Sequence, residues 1–237
     1  MDLFKGLVSG AFLGMATFLA FTAVLFRPAA TSKIADRLYA IRTLMVSFYV
    51  YESGYGLIAF DSGMNPAAAA RGMKSLGLDP QQVLHVFLTH SDYDHAGGLA
   101  AFPNAEVHMY EKEVALATGK VARRLFMKNS VKKYFQIHNS KPVTVGNDTI
   151  EIVPAVGHTP GSCCYLLNKK WIFVGDLMLL KDGKPRPFAR LMDMSHSQSV
   201  ESLNGIVESG ILSSCDIIAT AHGGIATKNE ESKAPAA

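Results

Sequence analysis

The spacing of apolar residues changes several times along the chain, and each change predicts a different element. Residues 6–26, GLVSGAFLGMATFLAFTAVLF, form an uncharged run of about 21 residues. At about 1.5 Å per residue it spans a bilayer core of about 30 Å, which predicts an N-terminal transmembrane helix. The run exceeds the apolar region of a signal peptide and carries no small-residue cleavage site. From Tyr39 the apolar runs shorten. TLMVSFYVYESG and YGLIAFDSG predict two neighbouring strands joined at residues 52–55. An alanine-rich stretch over 66–76 predicts a helix, and VLHVFL at 83–88 predicts a buried strand ending at Thr89. Further on, the pattern predicts strands over 105–109, 149–153, 163–167, 171–174 and 217–220. Helical structure is predicted over 111–135 and 199–208. Interleaved strands and helices make an α/β domain. The chain thus divides into an anchor and linker (1–36), one catalytic-sized domain (37–226) and a polar tail (227–237) expected to be disordered.

Charge refines this picture. A net charge of +3 is too small for a nucleic-acid binder, and no reading element accompanies it. Arg27, Lys33, Arg37 and Arg42 follow the apolar run, whereas only Lys5 precedes it, so the positive-inside tendency puts the domain in the cytoplasm behind a single-pass anchor. Gly6, Gly10 and Gly14 share one face of that helix, as in close-packed transmembrane pairs, and imply a homodimer. The region 112–141 and the segment KDGKPRPFAR are rich in Lys and Arg, which suits anionic headgroups of a lipid bilayer. Cys163 and Cys164 are adjacent, which is not the spaced pattern of a disulfide framework.

The chemistry begins where the buried strand ends. T-H-S-D-Y-D-H-A-G-G places His90, Asp92, Asp94 and His95 within one short turn, all of them metal-ligand types. In an extended segment alternate residues point the same way, so His90 and Asp92 can grip one ion. A turn then aims Asp94 and His95 at a second. GHTPGS, FVGDLM and TAHGG each add one more ligand type at a strand end: His158, Asp176 and His222.

This order resembles the metallo-β-lactamase fold superfamily, whose pattern is H-x-H-x-D-H followed by a separate His, an Asp and a final His. The resemblance covers residues 40–225 and implies an αββα sandwich of two mixed β-sheets flanked by helices. It implies that His90, Asp92 and His158 hold a first metal, that Asp94, His95 and His222 hold a second, and that Asp176 bridges them. Asp61, in FDSG, would lie beneath the site and steady a ligand. Two divalent ions per chain are expected, zinc foremost, with iron or manganese as alternatives. The implied activity is hydrolysis of an ester-like bond (lactone, thioester or phosphodiester) in a small molecule. A hydroxide bridging the metals would be the nucleophile, with Asp94 as the catalytic residue that orients it.

One position departs from the pattern: Asp92 stands where the family has its second histidine. Three carboxylates and a hydroxide against two divalent ions sum to about zero rather than about +1, so Lewis acidity should fall and harder metals gain ground. Flavodiiron proteins also carry a carboxylate there, which keeps a diiron redox enzyme as an alternative, beside a non-catalytic metal-binding protein. His196, in MSHSQS, is a candidate substrate contact. His85, His108 and His138 are read as structural or surface residues.

Overall fold

A computed structural model describes residues 26–123 and 131–228. Strands β1 (Ser32–Ala35), β2 (Leu38–Thr43), β3 (Val46–Ser53), β4 (Gly56–Phe60), β5 (Val83–Leu88), β6 (Glu106–Tyr110) and β7 (Phe135–Ile137) form one seven-stranded sheet in sequence order. Its first four strands pair antiparallel, and β4 to β7 run parallel. The second sheet has the order β15-β14-β11-β10-β9-β8. Its strands are β8 (Val143–Val145), β9 (Asp148–Pro154), β10 (Cys163–Leu167), β11 (Trp171–Gly175), β14 (Ile217–Thr220) and β15 (Ile225–Thr227). Only β11 and β14 are parallel there. A hairpin of β12 (Met178–Lys181) and β13 (Lys184–Pro187) stands apart.

Helices cover both outer faces: α1 (Pro66–Ser75) on the first sheet, α4 (His196–Glu208) and α5 (Ile211–Ser214) on the second. The short turns α2 (Tyr93–Ala96) and α3 (Val114–Ala117) lie in loops. Asn65 starts α1 by accepting the Ala68 N–H, with Pro66 at the first helical position, where its missing N–H costs nothing. Strand β3 shows why its run carries apolar residues on both faces. Tyr49 and Tyr51 face the core between the sheets, while Phe48 and Val50 pack beneath Ala69 and Met73 of α1. Phe60 stacks on Phe173 across the sheets at 3.8 Å. Leu203 and Ile206 of α4 cover Ile172 and Val174. The αββα sandwich is therefore present.

One expectation lies outside the described residues and four others change. Residues 1–25, with Gly6, Gly10 and Gly14, lie outside the described residues, among which no helix is long and apolar enough to cross a membrane. Phe26 closes the apolar run but is buried in the domain, its ring 4.5 Å from that of His222. The Arg27 N–H donates to the His222 carbonyl (2.7 Å), and β1 joins the sheet, so residues 26–36 are structure rather than linker. Within the expected mixed helical region 111–135, the described residues are helical only at the 3-10 turn Glu111–Glu113 and at α3, and Phe135 begins β7. The basic segment after Asp176 contributes the β12–β13 hairpin, and β15 carries the fold past residue 226.

Candidate metal centre

Every expected ligand lies in a loop at a strand end. Asp61 follows β4, His90 to His95 follow β5, Asp176 follows β11 and His222 follows β14, while His158 lies between β9 and β10. Carboxyl ends of parallel strands gather loops from different parts of the chain into one crevice. Two glycines permit the approach. Gly175 sits at φ +53°, and a Cβ there would lie 2.5 Å from the Thr89 hydroxyl. A Cβ on Gly98 would meet the Ser62 carbonyl.

The imidazoles of His90, His95, His158 and His222 follow one plan. Each Nδ1 is tied to the protein: to the Thr89 hydroxyl for His90 (3.1 Å), Asp61 Oδ2 for His95 (2.8 Å), Asp193 Oδ1 for His158 (3.1 Å) and the Met45 carbonyl for His222 (2.6 Å). Each Nε2 turns inward. Asp176 stands among them, with Oδ1 3.3 Å from Nε2 of both His95 and His222 and Oδ2 3.4 Å from Nε2 of His158. His90 Nε2, His95 Nε2 and Asp176 Oδ1 are buried without any hydrogen-bond partner. Buried polar atoms seldom stay unsatisfied, and convergent imidazole and carboxylate atoms with tied far sides are the donor set of a metal site.

The atoms fall into two pockets. His90, His158 and Asp176 make one, and Asp94, His95 and His222 make the other, with ligand atoms within 4.8 Å of one another in each. Asp94 Oδ2 lies 3.2 Å from His222 Nε2, and its side chain, 15% exposed, is the most open of the three carboxylates. Burial opposes charge on Asp176, yet His222, His95 and His158 hold it well below the usual carboxylate range. His158 is the counterpart: burial pulls its pKa down, but Asp176, Asp193 and Asp92 raise it to about 9.

Asp92 reaches the first pocket, 3.3 Å from His158 Nε2 and 3.7 Å from His90 Nε2. It does not arrive alone. Arg123 Nε donates to both Asp92 oxygens (2.9 Å each) and Nη2 to Oδ2 (2.7 Å). The same Nη2 contacts His158 Nε2 (3.1 Å) and donates to the Met192 carbonyl (2.9 Å). The Arg123 side chain is 5% exposed. Asp61, placed beneath the site as expected, accepts from the Thr89 N–H and hydroxyl as well as from His95.

Three functional residues escaped the reading of the sequence. Arg123 looked like one of many surface cations. Asp193 bridges His158 and His196, accepting from His196 Nδ1 at 2.6 Å, so the expected substrate contact is joined to a ligand through one carboxylate. Glu113 is fully buried. It accepts from the Ser91 N–H and hydroxyl, the Thr159 hydroxyl and the Gly161 N–H, lacing the His90 loop to the His158 loop. Motif spacing carries no signal for any of them. The remaining histidines are peripheral. His138 pairs with Glu111, while His85, Glu106 and His108 form a separate group on β5 and β6, with His85 Nδ1 3.1 Å from His108 Nε2.

A family model described as the metallo-beta-lactamase superfamily matches residues 41–222. A probable metallo-hydrolase of Mycobacterium bovis, Mb2322c, is 27% identical over 168 residues, covering 59% of this chain and 54% of that protein. The N-acyl homoserine lactonase AttM of Azorhizobium caulinodans is 31% identical over 112 residues, 40% of each chain. The chain spans about half the length of the curated relatives it matches. Among solved structures, one described as the first B3 metallo-beta-lactamase with an active site glutamic acid has a TM-score of 0.65 at 20% identity, covering 86% of this chain and 84% of that one. The class B3 di-zinc metallo-beta-lactamase LRA-12 from an Alaskan soil metagenome gives 0.62 at 20% identity, covering 83% and 79%. At that identity the likeness speaks for the fold alone.

Proposed function

Since this chain belongs to the metallo-beta-lactamase superfamily, we propose that it is a dinuclear metal-dependent hydrolase of a small ester-like substrate: a lactone, thioester or phosphodiester. The observation that carries this reading is the set of buried, partnerless atoms at His90, His95 and Asp176, aimed at one another with their far sides tied. Divalent ions bound there supply Lewis acidity toward the substrate oxygen and lower the pKa of water. The chain's own residues do the rest. Asp94, the most open carboxylate, holds and orients the water that attacks. His196, 30% exposed and held by Asp193, contacts the substrate at the rim. Phe26 and Phe188 pack against His222 and keep water from that flank. The likeness to a lactonase favours an acyl centre over a phosphoryl one. We also assign the apolar run that precedes Phe26 to a membrane anchor; Phe26, packed against His222, then brings the site close to the lipid surface.

The test is a hydrolysis screen of the full chain with measured metal content, using a lactone, a thioester and a phosphodiester, beside Asp94→Asn. Turnover of one class by the loaded wild type, lost in the variant, supports the proposal. A fully loaded wild type that hydrolyses none, or an Asp94→Asn protein with the full rate, overturns it.

A further inference from the structure

The two pockets share Asp176, yet their surroundings differ in one respect: the first holds a buried cation. Arg123 reaches Asp92 with a fork that engages both carboxylate oxygens. Bidentate guanidinium–carboxylate pairing is among the strongest arrangements available to either group. The same Nη2 contacts His158 Nε2, the atom that this histidine offers to an ion. One guanidinium nitrogen therefore lies within hydrogen-bond distance of two of the atoms expected to hold the first metal. A divalent ion needs those atoms at about 2.0–2.2 Å, with their lone pairs free. The second pocket is different. Asp94, His95 and His222 face one another and Asp176, and no Lys or Arg side chain hydrogen-bonds to them among the described residues.

Resting on the hydrolase reading, we propose that Arg123 is the resident cation of the first pocket and makes the centre asymmetric. One divalent ion binds tightly through Asp94, His95, His222 and Asp176. An ion in the first pocket competes with Arg123 for Asp92 and His158, and binds more weakly. Asp92 then serves the arginine as counterion before it serves a metal as ligand, which accounts for a carboxylate where the family carries an imidazole. Arg123 acts on metal loading rather than on the substrate.

The experiment is zinc titration of the chelator-stripped full chain against a chromophoric chelator, with zinc counted after dialysis, for wild type, Arg123→Gln and the double variant Asp92→His with Arg123→Gln. The wild type should keep one ion firmly and hold a second about 100-fold more weakly. Arg123→Gln should tighten the second ion by about tenfold or more, a change of the size that groups supporting metal ligands produce. The double variant removes the carboxylate together with its arginine, so it keeps the test available if the single variant folds poorly; it should retain two ions. The peripheral His85, Glu106 and His108 group is present in all three proteins and drops out of the comparison. Two ions of near-equal affinity in the wild type would overturn the proposal. So would an Arg123→Gln protein whose second ion is unchanged or weaker, because Arg123 would then orient Asp92 as a ligand. A wild type that binds no zinc would overturn the hydrolase reading as well, whereas a loaded wild type with an indifferent variant removes only this inference.

Discussion

Asp61→Asn isolates the support beneath the centre. Asp61 occupies a left-handed backbone position, φ +63°, which Asn tolerates far better than Ala, so the substitution changes hydrogen bonding without straining the chain. The carboxylate accepts from three donors: the Thr89 N–H on Oδ1 (2.8 Å), and the Thr89 hydroxyl and His95 Nδ1–H on Oδ2 (2.8 Å each). An amide has only one oxygen. If that oxygen faces Thr89 N–H, the amide NH2 confronts His95 Nδ1–H, and the ring must shed that proton or move it to Nε2, the atom aimed at the metals. If the amide is reversed, the buried Thr89 N–H is left facing another donor. The substitution therefore either forces the His95 proton onto Nε2 or leaves the buried Thr89 N–H without an acceptor, the latter at a cost of about 1–3 kcal/mol in the metal-free protein. Disturbing the partner of a ligating histidine lowers metal affinity by about 10–100-fold. Urea unfolding of the metal-free protein and zinc competition against a chromophoric chelator measure the two effects separately. An Asp61→Asn protein that unfolds with the wild type and binds zinc within about twofold of it would show that Asp61 does not orient His95.

Three further predictions follow from the geometry. Glu113→Ala removes the carboxylate that accepts from Ser91, Thr159 and Gly161 and breaks four buried hydrogen bonds at once. It should cost about 3 kcal/mol or more in denaturant unfolding, and Glu113→Gln less; an unchanged midpoint for the alanine variant would contradict this. His108 has its pKa pulled from 6.5 to about 4 by burial and by His85, with Glu106 nearby and Phe87 stacked on its ring. Between those pH values unfolding takes up a proton that the folded side chain refuses. Its contribution to stability is therefore complete above pH 6.5 and fades as the pH falls toward 4, by up to about 3 kcal/mol; His108→Gln should flatten that part of the stability profile. Chelation should lower thermal stability, because ions that bind only the folded centre stabilise it by about 4 kcal/mol at 1,000 times their dissociation constant; equal melting temperatures with and without metal would refute this.

The elements legible in the sequence are those whose surroundings leave one solution. The run at 83–88 has turn residues at both ends and most of its side chains buried, and it is a strand over the predicted residues. So are 163–167 and 217–220. The mixed helical region expected over 111–135 is met among the described residues only by the turns at Glu111–Glu113 and Val114–Ala117, because helix-forming composition was weighed without tertiary demand. The chain turns at Glu111–Glu113 to carry the Glu113 carboxylate inward, where four donors from two loops await it, and a continuous helix could not deliver it there. Strand β13 was hidden because its sequence, KPRP, is polar and proline-bearing, and its partner β12 is four residues long; the hairpin they form belongs to neither main sheet.

The site divides along a similar line. Ligands are legible because metal chemistry restricts residue type and because a short turn after a strand restricts spacing; both are properties of adjacent residues. The Arg123–Asp92 pair is a property of residues far apart in the chain, and within a basic stretch a guanidinium that turns inward reads the same as its neighbours that meet water. The missing step was electrostatic. A carboxylate added to a site that already holds two asks for a positive charge, and counting only the ions gave a centre near zero. Arg123 supplies the charge, and the sum returns to about +1, as in the five-histidine arrangement. An imidazole at position 92 would cost Arg123 the carboxylate that its fork engages, and loss of Arg123 would take that fork from Asp92. Each residue is intelligible only through the other, and a substitution that alters one should be read for its effect on both.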